Sequence, residues 1–72
     1  MITPEMLKHW FTYHEPKDLT QLHAYEEIRK AGLHLAITIT SLTPPCADQT
    51  AAIRKVREAV MTANAAVACE GR

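Results

Sequence analysis

Leu22, Tyr25, Ile28, Gly32, Leu35, Ile39 and Leu42 recur at steps of three and four residues, which sets them along one face of a helix. A second series, Ile53, Val56, Val60, Ala63 and Val67, follows the 3-4-3-4 spacing of a heptad seam. Pro44-Pro45 separates the two, and neither proline can continue a helix. Ahead of the first series, Asp18 and Gln21 form a D-x-x-Q capping box, in which each side chain satisfies an orphan N–H at the helix start. Around the second series stand Ala51, Ala52, Ala59, Ala65, Ala66 and Ala68; alanine favours helix and lets neighbouring backbones come close. The spacing predicts helices over about 19–42 and 47–68, antiparallel across the Pro-Pro turn, with Gly71 ending the pattern. The tract Ala36-Ile37-Thr38-Ile39-Thr40 is rich in β-branched residues, but its flanks are helical and no partner strand exists, so it is read as helix.

Near the start, Thr3 is a good N-cap and Pro4 suits the first helical position, where its missing N–H costs nothing. Glu5 complements the positive end of the helix dipole. A short helix over about 4–11 follows, then a linker, Tyr13 to Lys17, in which Pro16 biases Glu15 away from helix. The expected fold is all-α: one domain over 1–72, a short N-terminal helix followed by a long antiparallel αα-hairpin. Pairing outward from the turn sets Ile39 near Thr50, Leu35 near Ile53, Gly32 near Val56 and Tyr25 near Ala63. Gly32 then lets the helices approach mid-hairpin. Leu33, Ile37 and Met61 fall off the seam and need a further surface. The first helix and another subunit are both expected to supply it.

Length sharpens that expectation. A chain of 72 residues hides only about 60% of its unfolded surface. Below ~70–80 residues a core needs disulfides, metal or partner subunits. The two cysteines, Cys46 and Cys69, fall at opposite ends of one predicted helix, ~35 Å apart at 1.5 Å per residue, too far for an intrachain disulfide. The four histidines, His9, His14, His23 and His34, make no H-x-x-x-H pair, and there is no C-x-x-C, so no metal site or cofactor is predicted. Self-association into a homo-oligomer is what remains.

Eight basic residues balance eight acidic ones, whereas duplex binding draws on a basic excess. DNA is therefore not the expected partner, although a small anion needs only a local cluster. No apolar run approaches the ~18 residues of a membrane span, and the first residues carry no signal-peptide pattern. The cytoplasm, where thiols stay reduced, is the expected compartment. No G-x-S-x-G, no glycine-rich loop with lysine and no nucleophile beside an evident base occurs. No catalytic residue is assigned, and the chain is not expected to be an enzyme.

Three places could bind a ligand. Trp10, Phe11 and Tyr13 are three of the four aromatics. Trp10 and Phe11 are expected to cap the open end of the hairpin, while Tyr13, at a helix-to-linker boundary, is easily left exposed and could stack on a base. Arg29-Lys30 reads as a solvated surface, with Glu26 pairing Lys30 at i,i+4, or as a clamp for phosphodiester oxygens. Arg57 and Asn64 line up seven apart beside the seam, where they could fix helix register or line a pocket between subunits.

Phe11-Thr12-Tyr13-His14-x-Pro16, then Tyr25-x-x-Ile28-Arg29, then the block from Arg57 through Glu58-Ala59-Val60-Met61-Thr62-Ala63-Asn64 to Ala68 resemble the phage anti-CBASS sponge family with its helical-hairpin domain. The likeness runs from about Pro4 to Cys69. It implies a homohexamer of hairpins that holds cyclic dinucleotides such as cGAMP, undegraded, in pockets shared by two subunits. In that family a stacking tyrosine and a basic residue on the following helix hold base and phosphate. Tyr13 matches the tyrosine, with His14 beside it, and the basic residue falls on Arg29 or Lys30. Members can also hold cyclic trinucleotides at separate sites on three-fold axes, for which Arg57 and Asn64 are the candidates here. The implied role is immune evasion in the cytoplasm of the infected bacterial host. Two rivals come from other classes. One is an oligomeric helical adaptor that binds another protein through Leu33, Ile37 and Met61. The other is a helix-turn-helix regulator, which the long Pro-Pro hairpin and zero net charge disfavour.

Overall fold

The structure, a computed structural model, describes all 72 residues and contains three α-helices: α1 (Pro4–Phe11), α2 (Leu19–Leu42) and α3 (Ala47–Ala68). Their starts follow from local chemistry. The Thr3 hydroxyl accepts the Met6 N–H at 3.1 Å, with Pro4 in the first turn. Asp18 Oδ1 accepts the Gln21 N–H at 2.9 Å. The capping box is only half local, however. Gln21 Oε1 accepts the N–H of Lys17, at 2.9 Å, instead of that of Asp18, and Gln21 Nε2 donates to the Val67 carbonyl at 3.2 Å. One side chain thus closes the start of α2 and ties it to α3. The Ala36–Thr40 tract is helical, and its hydroxyls turn inward: Thr38 donates to His34 O at 2.9 Å and Thr40 to Ala36 O at 3.1 Å. Across the turn, Gln49 Nε2 donates to both the carbonyl and hydroxyl oxygens of Thr43 at 3.1 Å.

Beyond Ala68, α3 closes in a defined cap. The Gly71 N–H bonds Ala66 O at 3.0 Å and the Glu70 N–H bonds Val67 O at 3.2 Å, the paired bonds of a Schellman cap. Glu70 takes the left-handed position usually given to glycine (φ 55°), and Gly71 follows at φ 76°. This turn folds the last residues back onto α1. There the Trp10 indole N–H donates to Arg72 O at 2.9 Å, and His9 Nε2 donates to Cys69 O at 3.1 Å.

α2 and α3 pack along their length, and Gly32 is where they come closest. A Cβ built on it would lie 2.5 Å from Val60 Cγ2 and 3.9 Å from Val56 Cγ1. Gly32 therefore faces Val60 first, not Val56 as counting from Pro44 suggests. Cys46 is extended (φ −166°, ψ 174°) ahead of α3, so the chain advances beyond the prolines before the return helix begins. A valine in a helix has one favoured χ1 and cannot swing aside easily. Gly32→Ala should lose ~1–3 kcal/mol to overpacking and regain only about 1 kcal/mol of helix propensity. Thermal melts at fixed protein concentration should show lower stability, and adding Val60→Ala should recover part of it. A double variant no more stable than Gly32→Ala would contradict this contact.

The molecule measures 44 × 31 × 15 Å. Its thinnest dimension is barely more than one helix with its side chains, ~10–12 Å. Only Tyr25, Gly32 and Cys69 are buried. The chain exposes 5874 Å², whereas a compact monomer of its mass exposes about 4,500 Å². Apolar grooves flank the seam on either side of Gly32. One, of 370 Å³, is lined by Leu33, Ala36, Ile53, Val60 and Met61 among others; the second, of 290 Å³, by Ile28, Ala31, Leu35, Ala59 and Ala63 among others. Leu33, Ile37 and Met61 stay 64%, 54% and 59% exposed. The first helix does not cover them, contrary to expectation, because its hydrogen bonds to the hairpin all go to the C-terminal turn. Phe11, expected to pack over the open end with Trp10, is 85% exposed.

Candidate functional site

The linker after α1 is held on both sides of one residue. Thr12 ends α1 in an extended conformation (φ −90°, ψ 138°), and its hydroxyl donates to Lys8 O. His14 is half-buried, and its Nε2 donates to His9 O at 2.7 Å. Further on, Lys17 Nζ pairs with the Glu70 carboxylate. Between these anchors Tyr13 makes no hydrogen bond and its ring is 83% exposed. The backbone is fixed while the ring is left free. Tyrosine offers a large flat face with only two side-chain torsions to freeze on binding.

The Lys17–Glu70 pair has a testable electrostatic signature. The Lys17 ammonium, as hydrogen-bond donor and then as nearby charge, holds the Glu70 carboxyl below its ordinary value against a small opposing desolvation; Arg72 and His9 add in the same direction. A depressed carboxyl favours the folded state above its unfolded pKa, and that contribution disappears as pH falls through the folded value. The tie from linker to tail should therefore survive moderate acid and open only below the usual glutamate range. A carboxyl ¹³C NMR titration should place the Glu70 midpoint under the ordinary value, and Lys17→Ala should raise it. An unchanged midpoint in that variant would show the pair to be absent in solution.

The cations lie elsewhere. Arg29 and Lys30 are exposed on α2, ~15 Å along the axis from Leu19, and no hydrogen bond joins either to the Tyr13 segment. Lys30 pairs with Glu27 at 3.4 Å, an i,i+3 contact, and not with Glu26 as expected. Arg29 has no ion pair, which leaves its guanidinium the freer of the two. Within the chain the Tyr13 ring and these cations are thus not joined.

Arg57 and Asn64 are likewise kept apart. Arg57 lines a 230 Å³ cleft with Gln49, Thr50, Ile53 and Arg54, and none of the clefts it lines includes Asn64. Asn64 is half-buried, and its Oδ1 is shut from solvent with no donor. Arg54 belongs with Arg57 in that cleft; the i,i+3 spacing was the available signal. Sequence spacing also missed a gathering at the open end. One ring nitrogen from each of His9 and His14 and the Sγ of Cys69 all lie within 4.8 Å of one another. These residues come from α1, the linker and the end of α3, so no within-helix spacing announces them. Both cysteines are free thiols, and no helix is long and apolar enough to cross a membrane.

Among known protein families, the one described as Acb2/Tad1, hairpin domain, matches residues 4–68. No curated protein and no solved structure matches the chain. The family match spans all three helices, from the first residue of α1 to the last of α3. The chain therefore belongs to the Acb2/Tad1 hairpin-domain family, the anti-CBASS sponges.

Proposed function

We propose that this protein is a non-enzymatic, homo-oligomeric sponge, a hexamer of hairpins, that sequesters cyclic dinucleotides of the cGAMP type. It withholds them from CBASS effectors in the cytoplasm of the infected host. The family fits a phage anti-CBASS role in binding cyclic oligonucleotides. The observation that carries the finer reading is Tyr13: an 83%-exposed ring on an anchored backbone, without a task in its own chain. In this reading two subunits build one pocket. The Tyr13 ring stacks on a base, His14 holds the segment that presents it, and Arg29 of α2, or Lys30 beside it, takes the phosphodiester. Separate half-sites on one protomer suit a pocket completed by a neighbour, and ligand sites commonly lie between helices. A symmetric pair of subunits also matches a ligand that is itself close to two-fold. Cyclic trinucleotides would occupy distinct sites, with Arg57 and the unpartnered Asn64 as their contacts.

A sponge needs affinity and abundance, not turnover. Holding a signal below its effector's threshold asks for a Kd near nanomolar, about −12 kcal/mol. Calorimetric titration against a panel of cyclic di- and trinucleotides tests the proposal, followed by denaturation and chromatography of the released ligand. Tight binding with ligand recovered intact is the expected result. Degraded ligand would indicate a nuclease. A stable monomer indifferent to the whole panel would overturn the sponge reading.

A further inference from the structure

We propose that His9, His14 and Cys69 form a binding site for a zinc-class divalent ion that clips the two ends of the chain together. The three residues offer two imidazole nitrogens and one sulfur within 4.8 Å of one another. The rings meet edge-on, with centroids 4.8 Å apart at 63°. Both histidines are half-buried, and Cys69 is 9% exposed.

The hydrogen bonds around the cluster give the stronger argument. His9 Nε2 lies 3.1 Å from Cys69 O, and His14 Nε2 lies 2.7 Å from His9 O. A carbonyl oxygen can only accept, so in each neutral ring the proton sits on Nε2 and the free lone pair on Nδ1. Metal-bound histidines are typically held this way, with the second nitrogen donating to a backbone carbonyl that fixes tautomer and ring orientation. Here both rings are so held, and one of the carbonyls belongs to Cys69 itself. The set of two nitrogens and one thiolate suits zinc and disfavours calcium or magnesium, which prefer oxygen. Bonds of ~2.0–2.1 Å to nitrogen and ~2.3 Å to sulfur would require the three side chains to close in around the ion. On binding, the Cys69 thiol gives its proton to solvent and the thiolate bonds the ion; nothing is oxidised or reduced. Three protein ligands leave the fourth position of a tetrahedral ion to water.

The placement gives the ion a purpose. The hydrogen bonds of α1 to the hairpin all go to the C-terminal turn, and the cluster joins α1, the Tyr13 linker and the end of α3 at that point. An ion bound only to the folded chain stabilises it by mass action, and a chain this short gains much from such a staple.

Chelator-treated protein, titrated with cobalt(II) and then zinc(II), tests the site. Cobalt should give a thiolate charge-transfer band and the intense visible bands of a four-coordinate site at one ion per chain, and zinc should bleach both. Zinc should raise the Tm and shield Cys69, but not exposed Cys46, from alkylation as read by peptide mass spectrometry. The shielding test uses the wild-type chain, so it holds even where variants fold poorly. Cys69→Ser should abolish the charge-transfer band, and His9→Gln or His14→Gln should weaken metal affinity roughly tenfold or more. Cys46→Ser, His23→Gln and His34→Gln should leave it unchanged. A wild-type chain with no charge-transfer band, or a band lost with Cys46 and kept without Cys69, would overturn the proposal. None of these readouts involves a nucleotide, so the metal site and the sponge reading stand or fall separately.

Discussion

Ile37→Glu, with or without Leu33→Glu, should convert an assembly into single chains of 8.1 kDa by light scattering, and should melt at lower temperature. The two residues sit one turn apart on α2, and both are more than half exposed in the lone protomer. A glutamate there harms an isolated helix little, since its helix propensity matches or exceeds that of isoleucine. In an interface the same carboxylate is buried without a partner, at a cost of several kcal/mol. Symmetry repeats that cost at every equivalent contact. The exposed surface points the same way. The protomer shows 5874 Å², about 1,400 Å² above the compact-monomer expectation, close to two standard interfaces at ~800 Å² per partner. One dimer contact would not cover both grooves. The wild-type Tm should accordingly rise with protein concentration, because assembly and folding are linked. A wild-type chain that runs at 8.1 kDa at micromolar concentration and melts sharply, whatever its dilution, would remove the oligomer and the shared pocket together.

The contrast between local and distant chemistry explains which features were legible in the sequence. Thr3-Pro4, Asp18 with Gln21, and Pro44-Pro45 act within a few residues of themselves, so the limits of the helices could be read directly. Gly32 could be placed on the seam because its spacing matches Tyr25 and Leu35, yet its neighbour Val60 depended on how Cys46 leads into α3. The second arm of Gln21 reaches Val67, 46 positions away. Nothing in the capping motif encodes that choice. At the end of α3 the glycine rule located the stop but not the residue, because Glu70 takes the left-handed turn one position before Gly71. Exposure followed the same division. Tyr13 was readable beside Pro16 as a boundary ring, whereas Phe11 was assigned to a cap that the docking of α1 on Cys69 and Arg72 does not provide. That docking also gathers His9, His14 and Cys69, and it depends on contacts across 60 positions. No spacing rule reaches so far.

Tyr13→Ala should weaken cyclic-dinucleotide binding at least about tenfold while leaving the fold intact. Because the ring has no hydrogen-bond partner in its own chain, its removal should change stability by no more than about 0.5 kcal/mol, as at other uncommitted surface sites. Stacking on a base is worth ~1–3 kcal/mol. A cyclic dinucleotide carries two bases, and in the proposed pocket between two-fold-related subunits two Tyr13 rings would meet it. One substitution then removes both, and the loss grows to roughly 30-fold or more. Tyr13→Phe keeps the aromatic face and should bind within about threefold of wild type, since stacking needs the ring and not the hydroxyl. Phe11 is the sharper control. It is as exposed as Tyr13 and two positions away, but it stands at the end of α1 without the flanking His14 anchor. Calorimetry on Phe11→Ala and Tyr13→Ala, each checked for unchanged mass by light scattering, separates a ligand contact from a subunit contact. Loss of binding in the Phe11 variant with full affinity in the Tyr13 variant would move the stacking face to α1 and leave the Tyr13 pocket without its base.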